Sequence, residues 1–138
     1  MEAIVKVRAY AKNVDQAPRK VALVAGLVRG RTVADALVIL SHTPKRAARP
    51  VIKAIESAQA NAITTHGVDG KSLVISTLSV TIGTRIKRFK PASRGRALPF
   101  QKKSSNILVE VSGLAKPKKA AKPAATPAVE TAKTEEEK

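Results

Sequence analysis

Near the start of the chain, apolar and polar positions alternate. Ala3, Val5, Val7 and Ala9 fall on one side of the pattern and Ile4, Lys6 and Arg8 on the other, which predicts a half-buried strand over residues 3–9. The period then lengthens. Val21, Val24, Leu27 and Val28 recur at helical spacing behind Pro18, a residue suited to a first helical turn. Gly30 closes that run, with Arg29 in its last turn. Thr32 and Asp35 form a variant of the capping box ahead of a second stripe, Val33, Ala36, Leu37 and Leu40. Thr43-Pro44 repeats the cap-plus-proline signal before a longer helix, predicted to run to about Thr65 and to close at Gly67. Val51, Ile55, Ala58 and Ala62 line its apolar face. Pro50 lies inside this pattern, where an interior proline costs about 3 kcal/mol; the local signals leave open a kink or a helix start nearer Ala47.

Val68-Asp69-Gly70-Lys71 reads as a turn. Leu78, Val80 and Ile82 then alternate with Ser79 and Thr81, and Ile107, Val109 and Val111 alternate with Glu110 and Ser112, so two further strands are predicted. Between them lies a connection of about 20 residues, a length rare for loops in small domains. Either it is a disordered loop, or the strands continue outward as a long hairpin with its tip near Pro91–Arg96. Pro91 and Pro99 would weaken pairing where they sit. Such a hairpin is expected to carry no apolar face at its outer end, and to need a partner to order it. Beyond Leu114 the apolar period stops. Lys/Ala/Pro-rich sequence and the run Glu135-Glu136-Glu137 predict a disordered tail over 114–138, leaving a folded part of 1–113.

Charge changes this picture most. The 138 residues carry 26 Lys+Arg against 10 Asp+Glu, a net charge of +16. Half of that excess sits in residues 85–103, where Arg85, Lys87, Arg88, Lys90, Arg94, Arg96, Lys102 and Lys103 occur without one acid. The tail, with six basic and four acidic residues, adds only +2. A run of like charges repels itself unless a polyanion lies alongside, so nucleic acid is the partner this pattern favours. Aromatic residues are only 2% of the chain: Tyr10, Phe89 and Phe100. Tyr10 could stack on a base or cover the edge of the core. Phe89 and Phe100 flank the expected tip, where they could close on each other or wedge into an RNA surface.

Other chemistry is weakly represented. Cysteine is absent, which removes disulfides, thiolate metal sites and a cysteine nucleophile. Gly70-Lys71-Ser72 imitates a phosphate-binding loop, but Thr65 stands where the motif needs glycine, and the helix-then-strand order is reversed. His42 and His66 have no companions at metal-ligand spacing, and the acids of the predicted folded part are scattered singly. No catalytic residue, metal site or cofactor is therefore assigned, and an RNA-modifying or RNA-cleaving enzyme has little support. The apolar runs are too short to cross a bilayer, and no targeting segment is evident, so a cytoplasmic setting without membrane partners is expected.

Four ordered segments resemble the universal large-subunit ribosomal protein 22 family, bacterial type. Ala17 to Gly30 is similar to its first-helix signature, and Ala36 to Leu40 leads, as in the family, to Thr43-Pro44-Lys45. Glu56 to Ala62 is similar to the third-helix signature. Lys87-Arg88-Phe89-Lys90-Pro91 through Arg94-Gly95-Arg96-Ala97 resembles the extended loop, followed by a returning strand from Ser104 to Val111. Two departures stand out. Ala17 replaces the small hydroxyl residue usual before the helix proline, weakening that cap by about 1 kcal/mol unless Asp15 substitutes. Leu98-Pro99-Phe100 is more apolar than the family pattern.

The resemblance implies an α+β fold: three helices packed on a small three-stranded antiparallel sheet, with a long protruding basic β-hairpin over about 81–106. It implies a structural constituent of the large ribosomal subunit whose partners are large-subunit rRNA, neighbouring ribosomal proteins and the nascent peptide in the exit tunnel. The candidate rRNA-binding residues are Arg19, Lys20, Arg29, Arg31, Lys45, Arg46 and Arg49 in the globular part, and Arg85, Lys87, Arg88, Lys90, Arg94, Arg96, Lys102 and Lys103 in the hairpin. The tip, Pro91, Ala92, Ser93, Arg94, Gly95 and Arg96, is the candidate tunnel-lining segment. The same charge pattern would also serve an architectural protein bound to DNA or to another RNA.

Overall fold

A computed structural model describes residues 4–114, so the predicted tail lies outside the described residues apart from Leu114. The chain runs β1 (Ile4–Val14), α1 (Pro18–Val28), α2 (Val33–His42), α3 (Ala48–His66), β2 (Val74–Pro91) and β3 (Ala97–Leu114). The three strands form one antiparallel sheet in the order β1-β3-β2. The α+β reading holds, with three helices on a three-stranded sheet.

The helices pack on one face of the sheet: α3 against β1 and β3, and α1 against β2. Alternation decides which strand residues meet them. Val7 and Ala9 of β1, Ile75 and Leu78 of β2, and Ile107, Val109 and Val111 of β3 are buried with Val21, Val28, Val33, Leu40, Val51 and Ile55. Burying such side chains contributes about 1.5–3 kcal/mol each for the larger ones, and this offsets the cost of ordering the chain. Ala54, Ala58 and Ala62 keep α3 close to its neighbours. Leu27, expected in the buried stripe of α1, is 48% exposed, and Ala25 takes its place. The buried arc is centred on 21, 24, 25 and 28, leaving Leu27 at its edge.

The helix ends correct one further expectation, at Thr43, and decide two that the sequence left open. Ala17 caps α1 with no side-chain bond, and Asp15 does not substitute; it pairs with Lys102 at 3.2 Å instead. Thr43 does not open α3. Its N–H donates to the carbonyl of Leu40, and its hydroxyl donates to that of Ile39 at 2.7 Å, so it closes α2. The helix α3 starts at Ala48 behind Ala47, which puts Pro50 third in the helix. There its missing N–H belongs to the first turn, whose donors lack intrahelical partners anyway. No kink is required. Thr32 behaves as expected, accepting from the Asp35 N–H at 3.2 Å while its hydroxyl donates to the Asp35 carboxylate at 2.7 Å.

The long connection is a hairpin. The pairing of β2 with β3 runs from Val74↔Ser112 through Thr81↔Asn106 to Pro91↔Ala97. Both prolines sit within it, at Pro91↔Ala97 and Phe89↔Pro99. Pro91 is tolerated because β2 is an edge strand, and Pro99 because β1 stops pairing at Val14↔Ser105. Beyond that point β3 has a neighbour on one side only, and a proline can turn its nitrogen toward the open edge.

Candidate RNA interface

The hairpin leaves the domain at a polar junction. A bulge displaces the register between Ile82 and Arg85, with Gly83 and Thr84 in the extra span. Ser104 donates its hydroxyl to the Thr84 carbonyl at 2.6 Å. Asn13, in the left-handed conformation at φ 52°, donates its N–H to the Asn106 side chain at 2.9 Å and accepts from the Thr84 hydroxyl at 3.1 Å. A Cβ on Gly83 would lie 2.6 Å from the Ser104 hydroxyl oxygen, so the close approach of the two strands requires glycine here.

Beyond the junction, register assigns the faces, because directly opposite residues share one. Arg85↔Lys103, Lys87↔Gln101 and Phe89↔Pro99 lie on one face; Ile86↔Lys102, Arg88↔Phe100 and Lys90↔Leu98 lie on the other. All eight predicted hairpin cations are exposed. The second face corrects the sequence reading, since Ile86, Leu98 and Phe100 form an apolar strip among three cations. Phe89 and Phe100 point to opposite faces and do not close on each other. The Lys90 ammonium lies over the Phe100 ring, 5.0 Å from its centroid, while Phe89 is 72% exposed.

At the tip, Arg94 (φ 55°) and Gly95 (φ 70°) are both left-handed, and the Arg96 N–H reaches the Ser93 carbonyl at 3.4 Å. Two central residues with positive φ match the twist of a hairpin. Glycine suits this geometry; arginine at the first of the two positions does not, at a cost of about 1–2 kcal/mol. Below the turn the Ala92 N–H donates to the Arg96 carbonyl at 2.8 Å.

The globular cations divide into two groups. Lys20, Lys45 and Arg46 line a groove between α1 and the α2–α3 link, together with Leu23, Leu27 and Pro44. Lys45, Arg46 and Arg49 line an adjoining groove beside Ser41 and Ile52. Arg19 is exposed on the first turn of α1 and lines neither. Arg29 and Arg31 stand apart, with internal duties. The Arg29 Nε donates to the Leu78 carbonyl of β2 at 2.9 Å, and the Arg31 Nε donates to the Leu27 carbonyl at the end of α1 at 2.9 Å.

Sequence reasoning passed over Lys6, Arg8 and Lys12. They alternate with the buried residues of β1 and share the helix-free sheet face with Tyr10. Their phase opposite Val5, Val7 and Ala9 was the available signal. Among the described residues, no group of His, Asp or Glu side chains is arranged to hold a metal ion.

These features define a small α+β protein with an exposed basic two-stranded ribbon. The sequence model of the family described as Ribosomal protein L22p/L17e matches residues 9–112. The curated large ribosomal subunit protein uL22 from two strains of Lactobacillus delbrueckii subsp. bulgaricus is 43% identical over 113 residues in each case, covering 82% of this chain and 97% of the relative. The chain belongs to the ribosomal protein L22p/L17e family.

Proposed function

We propose that this chain binds large-subunit rRNA through its hairpin and the α1/α2–α3 grooves, ties RNA segments together during assembly, and lines the nascent-peptide exit tunnel with its tip. Family membership makes it a structural constituent of the cytoplasmic large ribosomal subunit and not an enzyme. Its expected partners follow from that setting: rRNA, adjacent ribosomal proteins and, at residues 91–96, the passing nascent chain.

One observation carries the RNA reading. Six exposed cations stand on the two faces of a two-stranded ribbon, Arg94 and Arg96 add two more at its tip, and the ribbon has no acid of its own. Such a ribbon inserted between RNA segments could neutralise phosphates on two sides at once. Arginine suits this work because its planar fork holds two phosphate oxygens. Recognition would rest mainly on RNA backbone and shape. At roughly 3.3 Å per residue, the seven paired positions from Arg85 to Pro91 give the outer ribbon a reach of about 23 Å.

Deleting residues 86–99 tests the proposal in cells. The shortened chain should retain its folded domain while large-subunit assembly changes, or the response to macrolides, whose site the family resemblance puts close to the hairpin tip. Normal assembly together with an unchanged macrolide response would overturn the hairpin assignment.

A further inference from the structure

The helix-free face of the sheet carries a second, unassigned set of cations. Register places Lys6 opposite Ser112, Arg8 opposite Glu110 and Tyr10 opposite Leu108 on this face, and Lys12 follows Tyr10 at the next outward position. Helices cover only the other face, so these side chains look outward. Tyr10 is 49% exposed and does not cover the core; the Lys12 ammonium lies 5.6 Å from its ring centroid. Glu110 lies on this face, set against three cations, and Asp15 pairs with Lys102 where the face meets the hairpin.

This face is continuous with one side of the hairpin. The register shifts place their extra residues in β1 and β2, and the alternation along β3 is unbroken. Leu108, Asn106 and Ser104 therefore lead directly to Lys102, Phe100 and Leu98. One strip winds with the sheet from Lys6, Arg8, Tyr10 and Lys12 to Arg88 and Phe100. It carries cations together with two rings, Tyr10 at one end and Phe100 at the other, an arrangement that meets phosphates and unstacked bases together. A protein partner would be matched better by an apolar centre with few charges.

We infer that the helix-free sheet face is an RNA-binding surface for an unpaired rRNA segment, with Tyr10 stacking on one base and Lys6, Arg8 and Lys12 holding the adjoining phosphates. This rests on the rRNA-binding reading above and extends the interface from the hairpin to the far side of the domain.

The test uses the full chain and transcribed 23S-type rRNA, with affinity measured across a salt series. Three variants are compared with the unaltered protein: Lys6→Gln/Arg8→Gln/Lys12→Gln, Tyr10→Leu, and the hairpin variant Arg88→Gln/Arg94→Gln/Arg96→Gln. All altered residues are exposed, so unchanged thermal midpoints should confirm intact folds. The sheet triple variant should reduce the log–log salt slope by about 2, since each phosphate contact on single-stranded RNA contributes about 0.7. Tyr10→Leu should weaken binding about fivefold or more with the slope retained. If both sheet variants bind like the unaltered protein while the hairpin variant is weakened, the sheet-face inference is overturned and the hairpin reading stands. If all three bind alike, the parent reading falls as well. Normal RNA binding by the sheet variants, with loss of a neighbouring ribosomal protein from assembled subunits, would assign the face to protein and overturn the inference.

Discussion

Replacing Gly83 with alanine tests whether the hairpin is fixed to the domain by the close approach of β2 and β3. The new Cβ would lie 2.6 Å from the Ser104 hydroxyl oxygen, 3.1 Å from the Ser104 carbonyl carbon and 3.2 Å from the Ser105 nitrogen. The first contact can be relieved by rotating the hydroxyl away, but that breaks its 2.6 Å bond to the Thr84 carbonyl, a loss of about 1 kcal/mol. The other two contacts are with backbone of the adjacent strand and cannot swing aside. The strands must part by a few tenths of an ångström, and forced overpacking of this kind costs about 1–3 kcal/mol in total. For a domain of this size the thermal midpoint should fall by roughly 4–15 °C. Circular dichroism melts of Gly83→Ala, Ser104→Ala and the double variant measure the effect and its origin. In the Ser104→Ala background the nearest clash is gone, so Gly83→Ala should cost about 1 kcal/mol less than it does alone. A Gly83→Ala midpoint equal to that of the unaltered chain would refute the reasoning, as would an equal loss whether residue 104 is serine or alanine.

Two further outcomes follow from the same geometry. Arg29→Ala should lower stability by about 1 kcal/mol, because its Nε ties α1 to the Leu78 carbonyl, whereas Arg88→Ala, exposed on the ribbon, should stay within about 0.5 kcal/mol; denaturant titrations of the two variants would show whether the cations divide this way. Arg94→Gly relieves a left-handed arginine, so amide exchange at Ala92 should slow while rRNA affinity drops through the lost cation; unchanged exchange would contradict the strain assigned to the turn.

Helical periods were legible because they are local. The stripe Val51, Ile55, Ala58 and Ala62 is wholly buried, and Gly67 ends α3 in the left-handed conformation. Ends were less legible, since one hydroxyl can serve either of two helices. Thr43 has the chemistry of an N-cap, but its carbonyl partners lie behind it in α2. Pro50 was ambiguous because its tolerance depends on counting from a start that the sequence does not mark. The hairpin cations were visible as composition, but the apolar strip was not. Ile86 belongs to one strand and Leu98 and Phe100 to the other, and only the register after the Gly83–Thr84 bulge brings them to one face. Arg29 and Arg31 were indistinguishable in sequence from the groove cations, because their acceptors are backbone carbonyls whose positions depend on the fold. Lys6, Arg8 and Lys12 were readable as a solvent-facing row; their continuity with the ribbon was not.

The most direct test of the central claim uses the absence of native cysteine. Ser93→Cys places one thiol at the exposed tip, where an iron chelate can be attached to the full chain before assembly into large subunits. Hydroxyl radicals generated there should cleave rRNA that lines the exit tunnel. Cleavage confined to rRNA on the outer surface of the subunit would contradict the account.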